Sequence, residues 1–255
     1  MSVLDFFSEV ALDLHEQPTT EKTVERITEY ARQAAACDDA GIMLVHSRTR
    51  IETASTTSER VIRSHELQRE LDEGPCLDAL EAGGSFVSND VGLDPRWPLW
   101  GQAASELGIR SAMSVLLETR ERRYGSLNLY ADRPDAFDGN DLATALIFAR
   151  HASVALANAH HEQGLLHAID ARKVIGQAQG ILMERFDIEA DRAFDVLRRY
   201  SQNHNQKLHA VASWVVENRK RPVSEFPGTI RMDVPESLMA DPPKKAPENG
   251  DPQPA

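Results

Sequence analysis

Three amphipathic helical patterns follow one another between Asp170 and Arg221, and they constrain the fold more than any other feature. Apolar residues recur there at steps of three and four, which places them on one face of each helix. These residues are Ala171, Val174, Ile175, Ala178, Ile181 and Leu182, then Ala190, Ala193, Phe194 and Leu197, then Leu208, Val211, Ala212, Val215 and Val216. Three such stripes can bury one another as a small bundle, which needs support from a neighbouring element because its core is small.

Polar links separate the three patterns, at Asp187–Glu189 and at Ser201–Asn205. The second link is predicted to be a turn with Asn205 as the N-cap of the third helix. Its amides, hydroxyl and imidazole lie beside Arg198, Arg199 and Lys207. Such donors next to cations suit phosphates and base edges, although a solvated surface turn has the same composition.

The stretch Arg172–Met183 resembles the opening helix of the ANTAR RNA-binding domain. Further residues that match this family's pattern are Ala193, Phe194, Leu197, Arg198, Ser201, Lys207, Leu208, Val211 and Ala212. The motif is specific because several small residues and a Leu-Met pair must coincide with the later helices. Gln179 departs from the pattern, since many members carry a lysine there. If that lysine touches phosphate in relatives, this chain lacks the contact.

The resemblance implies binding to paired hairpin loops in nascent RNA, which prevents a terminator from forming and causes transcription antitermination. Bases splayed from such loops can be read by amides, hydroxyls and cations. The expected RNA-binding residues are Arg198, Ser201 and Lys207, which match the family's pattern, and Gln202, Asn205 and His209, which neighbour them.

The alternative is a DNA-binding sensor-type transcription regulator, because three helices can also form a helix-turn-helix. That motif usually has a tight turn containing a glycine, and residues 201–205 contain none. The charge distribution is uneven: the chain carries −12 overall, but residues 162–222 hold ten Lys/Arg against eight Asp/Glu. The segment expected to touch nucleic acid therefore has a net charge of +2 and the remainder one of −14. This asymmetry gives modest support to both hypotheses, RNA binding and DNA binding.

Upstream, helical and strand patterns alternate in the order of an α+β domain, with helices flanking an antiparallel sheet. Helices are predicted over 3–16 and 21–36, after Gly74-Pro75-Cys76 and after Asp94-Pro95-Arg96-Trp97, and strands over Ala40–His46, Ile51–Thr56, Ser85–Ser88, Ser111–Leu117 and Gly125–Tyr130. The polar segment 58–71 is predicted to be either a further helix or a mobile segment over a pocket. The last two strands show the clearest period of two, and Thr119–Arg122 between them is predicted to be a hairpin turn.

This part of the chain, roughly residues 5–160, is similar to a GAF domain, a sensory fold of the α+β class. The residues that carry the resemblance are Glu73–Cys76, Asp94–Trp97, Ala103, Leu107–Ser111 and Gly125–Tyr130. It is closest to the GAF domains fused in front of ANTAR domains in actinobacterial-type proteins. The expected organisation is a GAF-like sensory or dimerisation domain over 1–160 and an ANTAR-like RNA-binding domain over 161–222. A disordered proline-rich tail is expected over 223–255.

The candidate ligand-pocket residues are Cys76, Trp97 and Trp100. A thiol near a helix start can be reactive because its pKa falls there, but a small buried residue that packs the turn fits equally. The two tryptophans either close a pocket or cap the core. GAF pockets commonly hold a small ligand in relatives, whereas many GAF domains serve only as dimer scaffolds, and this sequence names no ligand or cofactor.

No catalytic or metal-binding arrangement is indicated, and the chain is not expected to be an enzyme. His160-His161-Glu162 is not a His-Glu-x-x-His motif, because Leu165 stands four residues beyond His161. Neighbouring helical residues also point about 100° apart, so the two histidines do not easily share one metal.

A single helix is expected from Asp141 to Phe186, joining the two domains. Between Leu142 and Ala159 it is apolar nearly all round, so it must be buried on more than one side. One side can lie on the sheet and the other can meet a second copy, which predicts a homodimer. The expected seam is Ala145, Ala149, Ala152, Leu156 and Ala159, whose small side chains allow close approach.

The protein is expected to be cytoplasmic. Cys37 and Cys76 are too few for a disulfide framework, and no signal peptide is recognisable. No run of about 18 apolar residues is present, so no membrane-spanning segment is expected.

Overall fold

The computed structural model describes residues 3–35, 37–47 and 50–221. These residues form two compact units, which divide between Gly164 and Leu165. The helices are α1 (Val3–His15), α2 (Thr20–Ala34), α3 (Glu59–Leu71), α4 (Pro75–Ala82), α5 (Pro98–Glu106), α6 (Gly139–Phe186), α7 (Ala190–Asn203) and α8 (Leu208–Glu217). The strands are β1 (Asp39–Ser47), β2 (Arg50–Thr56), β3 (Ser85–Ser88), β4 (Ser111–Glu118) and β5 (Arg123–Ala131). Arg48 and Thr49, which lie between the first two predicted strands, and the predicted tail over 223–255 lie outside the described residues.

The first unit is built on a five-stranded antiparallel sheet with the strand order β2-β1-β5-β4-β3. The predicted hairpin between β4 and β5 is present, and the N–H of Thr119 donates to the carbonyl of Arg122 at 2.9 Å. Helices cover both faces of this sheet, so the predicted α+β class is confirmed.

The two faces of the sheet bury different residues, as the period of two along each strand requires. Odd-numbered residues of β4 and β5, such as Met113, Leu127 and Leu129, pack with α1, α2 and α6. Even-numbered residues, such as Ala112 and Tyr130, pack with the tryptophans of the α5 segment. The sheet is therefore the middle layer of the first unit.

Gly125 allows β1 and β5 to approach each other closely at the centre of the sheet. A Cβ atom at this position would lie 1.9 Å from the carbonyl oxygen of Met43, which is backbone and has no rotamer to change. Only glycine fits there without shifting a strand.

Helix α6 is continuous from Gly139 to Phe186, as predicted, and it passes through Gly164 without a break. Its length and apolar content would suffice for a membrane span. The core helix of a soluble protein meets the same criteria, and one stripe of α6 packs on the sheet of its own chain.

The predicted dimer seam is wrong in its position. Ala145, Ala149, Ala152 and Leu156 are at most 2% exposed, because they face the sheet of their own chain. The apolar residues that α6 exposes in the first unit are instead Leu146, Ile147 and Val154. Both faces of the helix are apolar, so its sequence could not show which of them the sheet would take.

The second unit is a three-helix bundle formed by the end of α6, α7 and α8. The predicted stripes meet in one core of Ala178, Leu182, Phe186, Ile188, Ala193, Val196, Leu197, Val211, Ala212 and Val215. The core is small, and its side chains come from all three helices.

We expect Ala152→Glu to lower the free energy of unfolding by about 3 kcal/mol or more, because it places an unpaired carboxylate between α6 and the sheet. Ile62→Glu, at a residue of α3 that is 42% exposed, is expected to change it by less than about 1 kcal/mol. Denaturant unfolding followed by circular dichroism measures both values. Equal stability of the two variants would contradict the packing of α6 described above.

Candidate RNA-binding surface and sensory core

The connection between α7 and α8 differs from the predicted turn in extent. Helix α7 continues to Asn203, so Ser201 and Gln202 are helical and only residues 204–207 connect the helices. The hydroxyl of Ser201 donates to the carbonyl of Gln206 at 2.5 Å, and the N–H of Gln206 donates to the carbonyl of Ser201 at 2.9 Å. Ser201 therefore fixes the turn rather than forming part of it.

The prediction that Asn205 caps α8 is wrong. The N-cap position is Lys207, whose side chain makes no capping hydrogen bond. Asn205 instead has a φ of 49°, in the left-handed region. Asparagine tolerates this conformation better than other non-glycine residues, so it reverses the chain direction in a turn that lacks glycine.

The predicted RNA-binding residues lie in the last turns of α7, in the connection of residues 204–207 and at the start of α8. Arg198, Gln202, Asn205, Lys207 and His209 are exposed, and Ser201 is half-buried. The Arg198 guanidinium pairs with Asp195 at 2.8 Å on the exposed surface, where such a pair is weak and exchangeable. The uncapped first turn of α8 adds backbone N–H groups beside Lys207. The surface can therefore offer phosphates both charge and directional donors.

A stacked ring pair adds to this surface, and sequence reasoning missed it. The rings of Tyr200 and His204 lie 4.1 Å apart with an interplanar angle of 18°. The two residues are four apart at the end of α7, which is the spacing at which helical side chains meet. Aromatic residues at that spacing next to a polar turn are the signal that could have found the pair.

Gln179 has a structural contact at the position where many relatives carry lysine. Its amide Nε2 donates to the carbonyl of Ala190 at 3.2 Å and so connects α6 to the first residue of α7. Gln179 therefore serves helix packing and offers no positive charge to a phosphate.

In the first unit, a buried polar network lies between the sheet and α3. Nε2 of His65 accepts from the Asn128 amide at 3.3 Å, and Nδ1 faces the Thr53 hydroxyl at 3.3 Å. The Ser114 hydroxyl donates to Oδ1 of Asn128 at 2.8 Å and fixes the orientation of the amide. His65 is therefore neutral, with its proton on Nδ1.

The structure places the three candidate pocket residues in the packed interior. Cys76 and Trp100 are fully buried and Trp97 is 2% exposed. The indoles donate to Asp78 at 2.9 Å and to the carbonyl of Ser64 at 3.3 Å. Both tryptophans belong to the core cluster on this face, so here they act as core residues.

Burial decides the chemistry of Cys76. Its sulfur lies 2.8 Å from the Ser126 hydroxyl and 3.0 Å from the sulfur of Met43. Desolvation raises the pKa of the thiol to about 12, despite its place in the first turn of α4. The burial therefore favours the interpretation of Cys76 as a packing residue, because a neutral buried thiol is a poor nucleophile.

Among the described residues, no group of His, Cys, Asp and Glu side chains has the arrangement of a metal site. Nε2 of His160 instead lies 3.2 Å from the Arg122 guanidinium, which donates to it.

A layered α+β domain, joined through a long helix to a small three-helix unit with a cationic polar edge, is the architecture of a two-domain sensory regulator. The chain belongs to the GAF domain family, whose model matches residues 17–157, and it carries an ANTAR domain over residues 163–216. The GAF domain is a signal-sensing domain and the ANTAR domain is the RNA-binding domain of antiterminators. The predicted pairing of these two domains is confirmed.

Solved structures show the same fold for the first unit. The GAF domain of a phosphoenolpyruvate-protein phosphotransferase from Coxiella burnetii is 14% identical, with a TM-score of 0.52 over 63% of this chain and 96% of that one. The corresponding Acinetobacter domain is 15% identical, with a TM-score of 0.50 over 64% and 99%. A phycoerythrobilin-bound GAF domain from a cyanobacterial phytochrome is 13% identical, with a TM-score of 0.51 over 64% and 98%. No curated protein matched the chain.

We expect acidification to destabilise the first unit through His65. Burial, with a smaller contribution from the charge of Arg69, lowers the pKa of His65 to about 3 from 6.5. The unfolded chain takes up this proton below about pH 6.5 and the folded chain does not, so stability is lost as pH falls. The expected slope is about 1 kcal/mol per pH unit.

Denaturant unfolding between about pH 7 and pH 5 measures this slope. His65→Gln should flatten it, whereas His161→Gln, at an exposed position, should not. An unchanged slope in His65→Gln would show that other groups carry the pH dependence.

Proposed function

We propose that this chain is a signal-responsive regulator that binds paired hairpin loops in nascent RNA and thereby causes transcription antitermination. The first unit senses the signal, and α6 leads from it to the RNA-binding unit. The protein acts in the cytoplasm and by binding rather than by catalysis.

The observation that carries this proposal is the exposed connection between α7 and α8. Lys207 and Arg198 supply cations, while Asn205 and Gln202 supply amides, all within or beside one turn of the ANTAR domain. Unpaired loop bases present edges to amides and faces to aromatic rings. The stacked pair of Tyr200 and His204 beside the turn suits the second kind of contact.

The side chains divide by chemistry into two roles. An ammonium is a point charge that finds any phosphate, so Lys207 contributes sequence-independent affinity, and Arg198 does the same once it leaves Asp195. Amide groups have directional donors and acceptors, so Asn205 helps to read a base. Ser201 stabilises the turn instead, because its hydroxyl donates a hydrogen bond to the carbonyl of Gln206.

DNA binding remains the competing function, because the connection of residues 204–207 is short enough for a helix-turn-helix. A gel shift that compares a two-hairpin RNA with a DNA duplex of the same sequence separates the two functions. Tight binding to the RNA alone supports antitermination, whereas preference for the duplex would overturn it.

We expect Lys207→Ala to weaken binding to all hairpins similarly and to reduce the salt dependence by about one unit of slope. Lys220→Ala removes the same charge at the far end of α8 and serves as the matched control. Filter binding at several salt concentrations gives both values. Equal losses in the two variants would mean that only net charge matters.

We expect Asn205→Gly to cost roughly 1–3 kcal/mol of binding for the preferred loop and little for a scrambled one, by analogy with base-edge contacts in duplex DNA. Glycine removes the amide and accepts the left-handed backbone at φ 49°, so the turn should keep its shape. Circular dichroism melts check that the variant remains folded. A folded variant with wild-type affinity for the preferred loop would place base reading elsewhere.

We also propose a homodimer through the exposed face of α6. Leu146, Ile147 and Val154 are 41%, 51% and 56% exposed. Ile147 and Val154 are seven residues apart, which is the repeat at which two helices can pack side by side. This face replaces the buried alanine stripe as the proposed seam.

We expect the double change Ile147→Glu and Val154→Glu to shift the wild-type dimer towards monomer by at least about tenfold in dissociation constant, because four carboxylates would meet in one interface. Ile62→Glu, at an exposed apolar residue of α3, is the control that should leave the dimer intact. Sedimentation equilibrium measures all three proteins. A monomeric wild type, or a double variant that still dimerises, would refute the seam.

A further inference from the structure

A cavity of about 370 Å³ opens in the first unit, on the face of the sheet that carries α2 and α6. Its floor includes Val24 of α2, Leu44 of β1 and Leu156 of α6, and its rim includes Arg122, Tyr124 and His160. This volume lies in the range of small-molecule sites, and so does the combination of an apolar floor with a few polar groups. The candidate pocket residues Cys76, Trp97 and Trp100 lie elsewhere, in the packed interior.

The rim of the cavity carries a cation that is available to a ligand. Nη1 of Arg122 donates to Nε2 of His160 at 3.2 Å, and the guanidinium carbon of Arg122 lies 5.5 Å from the centre of the Tyr124 ring. Among the residues that the structure describes, no carboxylate forms an ion pair with Arg122. Its remaining donors therefore have no charged acceptor of the protein's own.

The two carboxylates at the cavity already have partners. Glu52 lies 3.2 Å from His46 and 3.4 Å from Arg50. Glu21 is hydrogen-bonded to its own backbone and to Thr19 at the start of α2. Arg122 is the one Lys or Arg side chain among the residues that line the cavity, which suits a singly charged ligand better than a phosphate dianion.

We propose that this cavity binds a small monocarboxylate with an apolar body. The planar guanidinium of Arg122 matches the two oxygens of a carboxylate. His160 can turn its ring away from Arg122, so that its ring N–H donates to the same carboxylate. The hydrocarbon part lies against the half-buried Leu44, and its own removal from water favours binding.

The position of the cavity connects the ligand with α6. His160 and Gln163 line it and are among the last residues of α6 in the first unit. The hydroxyl of Thr20 donates to Oε1 of Gln163 at 3.0 Å, which joins α2 to the same turn of α6. A ligand that draws Arg122 or His160 away changes contacts of this helix segment. The inference deepens the proposed sensory role of the first unit, and because it is tested by direct binding, it can fail while RNA binding stands.

The test uses the full chain and two probe acids, benzoate and hexanoate, with benzamide and hexanamide as neutral analogues of the same shape. Isothermal titration calorimetry and ligand-observed NMR measure the affinities. We expect at least one acid to bind about tenfold or more tightly than its amide, because the ion pair is lost in the amide. If neither acid saturates the chain by about 10 mM, or if the amides bind equally, the proposal is wrong.

Variants of the cavity residues test where the acid binds. Arg122→Gln should weaken its binding about tenfold or more, whereas Arg120→Gln, on the same hairpin but outside the cavity, should leave it unchanged. Ala54→Phe fills the cavity from an exposed position on β2 and should abolish binding. Circular dichroism melts establish that each variant is folded. An acid that binds folded Arg122→Gln and Ala54→Phe as it binds the wild type would locate the site elsewhere and overturn the proposal.

Discussion

The packing of α6 on the central sheet is the interaction on which the rest of the structure depends. Ala145, Ala149 and Ala152 lie one above another on the helix, and their small side chains let its backbone approach the strands closely. The same helix continues without a break and supplies Ala178, Leu182 and Phe186 to the core of the second unit. One continuous helix therefore contributes to both hydrophobic cores, so the proposed sensory and RNA-binding units share a single covalent and hydrogen-bonded element.

The two faces of the sheet are stabilised by different interactions. The face under α2 and α6 is almost wholly apolar and is held by burial of hydrocarbon from water. The opposite face contains His65, Asn128 and Ser114, which are buried and bonded to one another. Burial keeps His65 neutral, with its pKa lowered to about 3 from 6.5. The guanidinium of Arg122, by contrast, lies at the open cavity and is exposed to solvent.

The connection between α7 and α8 carries the proposed function because its geometry is fixed from within. Ser201 closes the turn by a hydrogen bond to Gln206, and Asn205 takes the left-handed backbone that reverses the chain. Neither feature uses the groups that point outward, so the exposed cations and amides are presented without a cost in local stability. If Asn205 capped α8 with its side chain, its amide would be occupied by the helix and could not also contact a base.

The order of helices and strands follows from the sequence by itself, because spacing of three and four, alternation and the turn residues are local signals. The resemblance of Arg172–Met183 to the first ANTAR helix is likewise visible in the sequence alone. Only the tertiary structure decided which side of α6 is buried, since both sides are apolar and the choice depends on where the sheet lies. The burial of Cys76 and the left-handed backbone of Asn205 also could not be predicted from the sequence, because both depend on the tertiary structure. A thiol's pKa and a side chain's hydrogen-bond partner are set by residues distant along the chain, which no local pattern records.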